Sequence, residues 1–155
     1  ILTPHPGEAA RVLGITAAAV NRDRVGAARR LAKEAAAVVL LKGAGTVTAS
    51  PEGWVVVNPT GGPALASGGT GDVLLGIVTA LLAQGLEEFE AAALAAFVHG
   101  LAADRIAART GDSGLLAVDL ARELPATTAA LRAEAAAASG SLAPRARLAV
   151  DFPEP

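Results

Sequence analysis

A chain of 155 residues with a formal net charge of −2 and no cysteine is long enough for one domain with a sizeable core. It lacks the basic footprint of a general nucleic-acid binder and can form neither disulfides nor a thiolate metal site. Its hydrophobic share of 52% rests largely on alanine, with one Trp, three Phe and no Tyr, so closely packed small-residue helices are expected, with little aromatic surface for stacking on bases. No segment resembles a signal peptide. The longest uncharged apolar run, residues 73–83, is too short to span a bilayer. The chain therefore reads as soluble and cytoplasmic, with neither nucleic acid nor membrane as partner.

Residues 1–3, Ile-Leu-Thr, read as the tail of a buried strand, so the numbering is expected to open inside a larger domain. Pro4-His5-Pro6-Gly7-Glu8 then turns into a short helix, with Pro6 suited to its first turn and Gly14 to its end. Thr16 is placed to cap the next helical stretch. From about residue 21 to 37 Val25, Ala28, Leu31, Ala32 and Ala35 share one helical face, and Arg22, Arg24, Arg29, Arg30 and Lys33 fall on a solvated one. Val38-Val39-Leu40-Leu41 is a continuous apolar strand of the kind buried on both faces of a parallel sheet. Residues 46–49 and 54–57 read as a hairpin turned by Ser50-Pro51-Glu52-Gly53.

Next comes a stretch that proline and glycine keep irregular, opening with Asn58-Pro59-Thr60-Gly61 and closing with Ser67-Gly68-Gly69-Thr70-Gly71-Asp72. There the chain turns apolar: Val73, Leu74, Ile77, Val78, Leu81 and Leu82 recur at the spacing of a buried helix ending at Gly85. A glycine loop running into a helix N-terminus is a place to hold an anion, because backbone N–H groups point outward and the helix dipole favours negative charge. A second helix is expected from about residue 89 to 109, a turn over 110–114 with Ser113 suited to cap, and a last short helix over 115–124 before Pro125. Residues 126–155 drift into Ala, Thr, Ser, Arg and Pro and are expected to be a tail, helical around Leu131, partly disordered and without function. These elements make an α/β fold with a mostly parallel sheet flanked by helices and a β-hairpin.

Three loops combine glycine with functional groups: His5 to Glu8, Lys42-Gly43-Ala44-Gly45-Thr46, and Gly68 to Asp72. The first two follow strands, and in open α/β sheets ligands bind beyond the strands' C-terminal ends. The second matches neither a P-loop nor a dinucleotide fingerprint, so a nucleotide would meet it through backbone groups near Gly43 and Gly45; taken alone, it reads better as a tight connection with a solvated lysine. His5, between prolines, is better placed to touch a substrate than His99, whose mid-helix position among Ala95, Phe97, Val98 and Leu101 suits a structural hydrogen bond. Glu8 suits either helix capping or an indirect hold on Mg²⁺ through water. Asp72 is the candidate base. Phosphoryl transfer tolerates a carboxylate base, since its loose transition state needs the nucleophile positioned more than deprotonated, and glycine N–H groups stabilise the moving charge.

Gly68-Gly69-Thr70-Gly71-Asp72 resembles the signature of the ribokinase-like superfamily. Together with the Thr3 to Glu8 segment, Lys42 to Thr46, Asn58-Pro59-Thr60-Gly61, His99-Gly100, and Gly114-Leu115-Leu116-Ala117 with Asp119, it is similar to the ADP/ATP-dependent NAD(P)H-hydrate dehydratase family. The likeness covers residues 1–125 and matches the C-terminal portion of that family's domain, whose upstream strands are missing. The resemblance implies phosphorylation of the ring hydroxyl of hydrated NADH or NADPH (NADHX, NADPHX), followed by elimination of phosphate. It implies that Asp72 is base and substrate contact, and that His5 binds substrate. Lys42, Gly43, Ala44, Gly45 and Thr46, with Ser67, Gly68, Gly69, Thr70 and Gly71, would hold ADP or ATP, and Glu8 would help place Mg²⁺. A homo-oligomer, fused to or partnered with an NAD(P)H-hydrate epimerase, belongs to the same expectation. The rival readings are a small-molecule kinase of the superfamily and a non-catalytic nucleotide-binding fragment.

Overall fold

The apolar strand sets the frame of the computed structural model, which describes residues 1–141. β1 (Val39–Leu41) is buried along its whole length. It pairs antiparallel with β2 (Val47–Ala49), and β2 pairs antiparallel with β3 (Val55–Val57), so the expected hairpin is present. Of the mostly parallel pairing expected, the described residues contain one bridge, between Leu2 and Val39. The reason is chain length: only residues 42–46 lie between β1 and β2, whereas a parallel crossover needs about a dozen. Alongside β1 the opening segment donates from Leu2 N to Val38 O and accepts at Leu2 O from Leu40 N, both at 2.8 Å, and Lys42 N donates to Pro4 O at 2.9 Å. Running parallel, the two segments leave the sheet at the same edge, which delivers His5 and Lys42 to one side of the molecule.

Side chains alternate across β1 and supply two layers. Val39 and Leu41, with Val47 and Ala49, pack under α1 (Pro6–Leu13), α2 (Ala17–Arg22) and α3 (Arg24–Ala35) through Ala9, Leu13, Val20, Ala28 and Leu31. Val38 and Leu40 face the other way, onto Leu74 and Val78 of α4 (Thr70–Ala83) and Ala92, Ala95 and Ala96 of α5 (Glu88–Thr110). A third cluster, including Ala102, Ala103, Ile106 and Leu120, joins α5 to α6 (Ala117–Ser141). The alanine faces let backbones approach closely. Among the described helices α5 is long and apolar enough to cross a membrane, but 56% of its apolar window is buried inside the protein, the pattern of a core helix.

Four expectations change. The helix expected from residue 21 splits at Asp23, whose carboxylate accepts from Gly26 N at 2.8 Å and starts α3 afresh; a Cβ at Gly26 would collide with that carboxylate. Arg24 does not join the solvated face but turns toward the strand ends. Leu82 is exposed, as is Leu75, so α4 buries only one side. The short helix expected to stop before Pro125 instead runs through it to Ser141. A proline forfeits one helical bond, yet the helix is held on both sides of it: before it Leu120 is fully buried, Leu124 packs on the same cluster and Glu123 accepts from both Arg105 (3.2 Å) and Arg109 (2.6 Å) of α5, and beyond it Thr127 is fully buried. Residues 142–155, the remainder of the expected tail, lie outside the described residues.

Candidate active site

His5 is the N-cap of α1. Its Nδ1 accepts from Gly7 N (3.0 Å) and Glu8 N (3.2 Å), while Glu8 Oε2 accepts from His5 N at 2.7 Å, a reciprocal capping box. That bond is the main reason the Glu8 pKa sits below the usual carboxylate value. With Nδ1 an acceptor, the neutral ring carries its proton on Nε2, which lies 3.6 Å from Glu8 Oε1. The imidazole is thus held from one side and stays exposed on the other.

The loop of residues 42–46 connects β1 to β2. Gly43 and Gly45 adopt positive φ of 137° and 61°, conformations that side chains disfavour. Behind the loop, Arg24 Nη2 donates to Leu41 O (3.0 Å), Lys42 O (3.2 Å) and Gly45 O (3.5 Å). Thr46 Oγ1 closes the loop on Gly43 O at 3.1 Å. Among the described residues, the backbone N–H groups of residues 43–46 have no acceptor.

Opposite stands a wall tied to α5. Asn58, buried, donates from Nδ2 to Thr60 O (3.0 Å) and Ala96 O (3.1 Å), and Thr60 Oγ1 donates to Phe97 O at 2.9 Å. Gly61 N donates to Asp104 Oδ2 at 2.8 Å. The contact is so close that a Cβ on Gly100 would lie 2.6 Å from Thr60 C and 2.7 Å from Thr60 O. Further along, Gly69 caps α4 with φ 83°, and Thr70 Oγ1 reaches Leu65 O (2.9 Å) and Ser67 O (2.8 Å). His99 Nε2 bonds Thr70 O at 2.8 Å. Burial lowers the His99 pKa against the opposing pull of that bond, and because a carbonyl only accepts, Nε2 is the donor. Gly68, Gly69 and Gly71 carry N–H groups with no acceptor among the described residues, the donor set of a helix-terminal anion site.

Both walls enclose one cavity of about 870 Å³, within the range of small-molecule sites. Its lining brings together His5, the whole 42–46 loop, Ser67, Thr70 and Gly71 from the sequence reading, and adds Asn58, Thr60, Leu74 and His99. Glu8, Gly68, Gly69 and Asp72 do not line it. Asp72 is exposed in the first turn of α4, next to the lining residue Gly71. Lys42 Nζ reaches the same place: it lies 3.6 Å from where a Cβ on Gly71 would sit. Three groups owe their place to distant partners. Arg24 leaves the solvated face expected of it, Asp104 carried no expectation, and His99 makes the structural hydrogen bond expected of it, but at the cavity wall. Their partners lie 17, 43 and 29 residues away in sequence, beyond any local pattern. Among the described residues no three His, Asp or Glu side chains gather to hold a metal.

Residues 1–126 match the model of the Carb_kinase family, described as NAD(P)H-hydrate dehydratase. The chain is 52% identical over 125 residues to the bifunctional NAD(P)H-hydrate repair enzyme Nnr of Moorella thermoacetica, covering 81% of this chain and 24% of that one. It is 51% identical over 122 residues to the ADP-dependent (S)-NAD(P)H-hydrate dehydratase of Neisseria meningitidis, covering 78% and 41%. The crystal structure of the ADP/ATP-dependent NAD(P)H-hydrate dehydratase of Bacillus subtilis, co-crystallised with ATP/Mg²⁺, superposes with a TM-score of 0.76 at 38% identity, over 81% of this chain and 46% of that one. A ribokinase-like superfamily protein of Enterococcus faecalis superposes at 0.67 with 27% identity, over 80% and 42%. The chain thus spans from about a quarter to under half of these relatives' lengths. Its fold is ribokinase-like, and the chain belongs to the NAD(P)H-hydrate dehydratase family.

Proposed function

We propose that this chain carries the nucleotide-facing part of the centre of an NAD(P)H-hydrate dehydratase, a lyase that spends ADP or ATP to restore hydrated NADH or NADPH. The observation that carries this reading is the single cavity into which His5, the 42–46 loop and Ser67, Thr70 and Gly71 all open. In the proposed reaction the ring hydroxyl oxygen attacks the terminal phosphorus of the nucleotide, its proton passes to the Asp72 carboxylate, and the bond to the shortened nucleotide breaks. Loss of phosphate with the C–O electron pair, and of a proton from the adjacent ring carbon, then restores the double bond. The N–H groups of Gly68, Gly69 and Gly71 and the Lys42 ammonium are disposed to stabilise charge on the transferring phosphoryl.

His5 presents Nε2 to the substrate while Nδ1 stays engaged in its cap. Lys42 to Thr46, Ser67 and Thr70 hold the nucleotide. Mg²⁺ would arrive mainly on the nucleotide's phosphates and waters, as that ion commonly does, which leaves Glu8 an indirect role. The names of the relatives support the nucleotide and the ion: the Bacillus protein was crystallised with ATP/Mg²⁺ and the Neisseria protein is called ADP-dependent. The Moorella relative is called bifunctional, which supports a second repair activity, an epimerase, on or beside the complete protein. A homo-oligomer is part of the same reading.

The deciding experiment incubates the full-length protein with chemically hydrated NADH and either ADP or ATP. Recovery of the near-ultraviolet absorbance of the dihydronicotinamide, with release of phosphate, is expected. Accumulation of a stable phosphorylated product with no such recovery points to a kinase of the superfamily instead, and absence of turnover with nucleotide still bound points to a binding module.

A further inference from the structure

In a trans peptide the carbonyl of one residue and the N–H of the next point in opposite directions. Arg24 draws the carbonyls of Lys42 and Gly45 toward α3. The N–H groups of Gly43 and Thr46 are therefore turned away from α3, and both residues line the cavity. Neither N–H has an acceptor among the described residues. Successive outward N–H groups in such turns form a nest for anionic or electron-rich atoms, and here a guanidinium stands directly behind it. The fit is close: a Cβ on Gly43 would lie 2.8 Å from Arg24 Nη1, so the glycine leaves room for the cation as well as for the turn. Among the described residues Arg24 also buries its Nε without a partner, a cost of the kind that marks a side chain held for its geometry.

We propose that Arg24 is a positioning residue for nucleotide binding: by clamping three carbonyls it orients the backbone N–H groups of Gly43 and Thr46 toward a nucleoside di- or triphosphate in the cavity. This rests on the nucleotide reading of the 42–46 loop given above. The planar fork of arginine reaches several carbonyls from one side; the single ammonium of lysine does not.

The test compares full-length wild type with Arg24→Lys, which keeps charge and stem, and with Arg24→Gln. ADP affinity is measured by calorimetry, the KM for hydrated NADH by turnover, folding by thermal melts, and loop order by amide exchange over residues 42–46. In Arg24→Lys, ADP should bind about tenfold more weakly, about 1.4 kcal/mol. The substrate KM and the kcat at saturating nucleotide should stay within about twofold of wild type, and the 42–46 amides should exchange faster in the free protein. Arg24→Gln, if folded, should be weaker still for ADP. Unchanged ADP affinity in a folded Arg24→Lys overturns the proposal, as does an equal weakening of ADP and substrate that follows the loss of melting temperature. Failure of wild type itself to bind ADP overturns the nucleotide reading; unchanged loop exchange in Arg24→Lys overturns the positioning role independently.

Discussion

The two walls of the cavity are made firm by opposite means. The wall of residues 58–71 is stitched into the protein: Asn58, Thr60, Gly61 and Thr70 all bond to carbonyls or side chains of the core or of their own loop, several of them on α5. Among the described residues the 42–46 loop keeps the N–H groups of residues 43–46 open; it is held at its ends by Lys42 N on Pro4 O and Asn58 N on Thr46 O, and on its carbonyl side by Arg24 and Thr46 Oγ1. The first wall is a structural datum, costly to disturb for folding. The second is a set of unsatisfied donors whose value appears only when a ligand is bound. Damage to the first wall should therefore register in stability, and damage to the second, or to the reactive group at the end of the first, in binding or turnover.

The largest effect should break that division from the functional side. Asp72→Asn removes the proposed base but, among the described residues, no side-chain hydrogen bond or ion pair, so turnover should drop by roughly a thousandfold, with ADP affinity and melting temperature retained; undiminished turnover removes Asp72 from the chemistry. Gly100→Ala attacks the structural wall where α5 touches Thr60, and should cost about 3 kcal/mol in urea unfolding. A loss of catalysis with no loss of stability would contradict the distinction between the walls. Asn58→Ala removes the side-chain donor to the carbonyls of Thr60 and Ala96 and should cost about 2 kcal/mol, measured the same way.

The smallest effect concerns His99. Burial holds its pKa below the ordinary imidazole value, so the folded state resists a proton that the unfolded state accepts. Its contribution to stability is full above the unfolded pKa of about 6.5 and is lost as the pH falls from there through the folded value. Melting temperatures taken from about pH 8 down to about pH 5 should fall more steeply for wild type than for His99→Gln over the lower part of that range; parallel curves would remove His99 as a source of the pH dependence.

What could be read locally was read. Pro6 and Gly14 bound α1, Thr16 caps α2, and the hairpin and the glycine loop feeding α4 stand where their own turn chemistry puts them. His5 was picked out for its exposed loop position but is also a helix cap, because its offset from Gly7 and Glu8 lets the ring reach their N–H groups. Less legible was anything whose cause lies across the fold. Nothing near Arg24 in the sequence distinguishes it from the solvated arginines at 29 and 30, and Pro125 is ordinarily a place for a helix to stop.

By itself the sequence determined where turns, caps and apolar stretches fall, since these depend on residues within a few positions of one another. Tertiary structure alone decided which way Arg24 points, that α6 continues past Pro125, that Gly100 is the contact point of α5 with Thr60, and that Lys42 and Gly71 meet at one cavity. Each of these is an energy shared between segments 14 or more residues apart, and such an energy exists only once the layers have closed on one another.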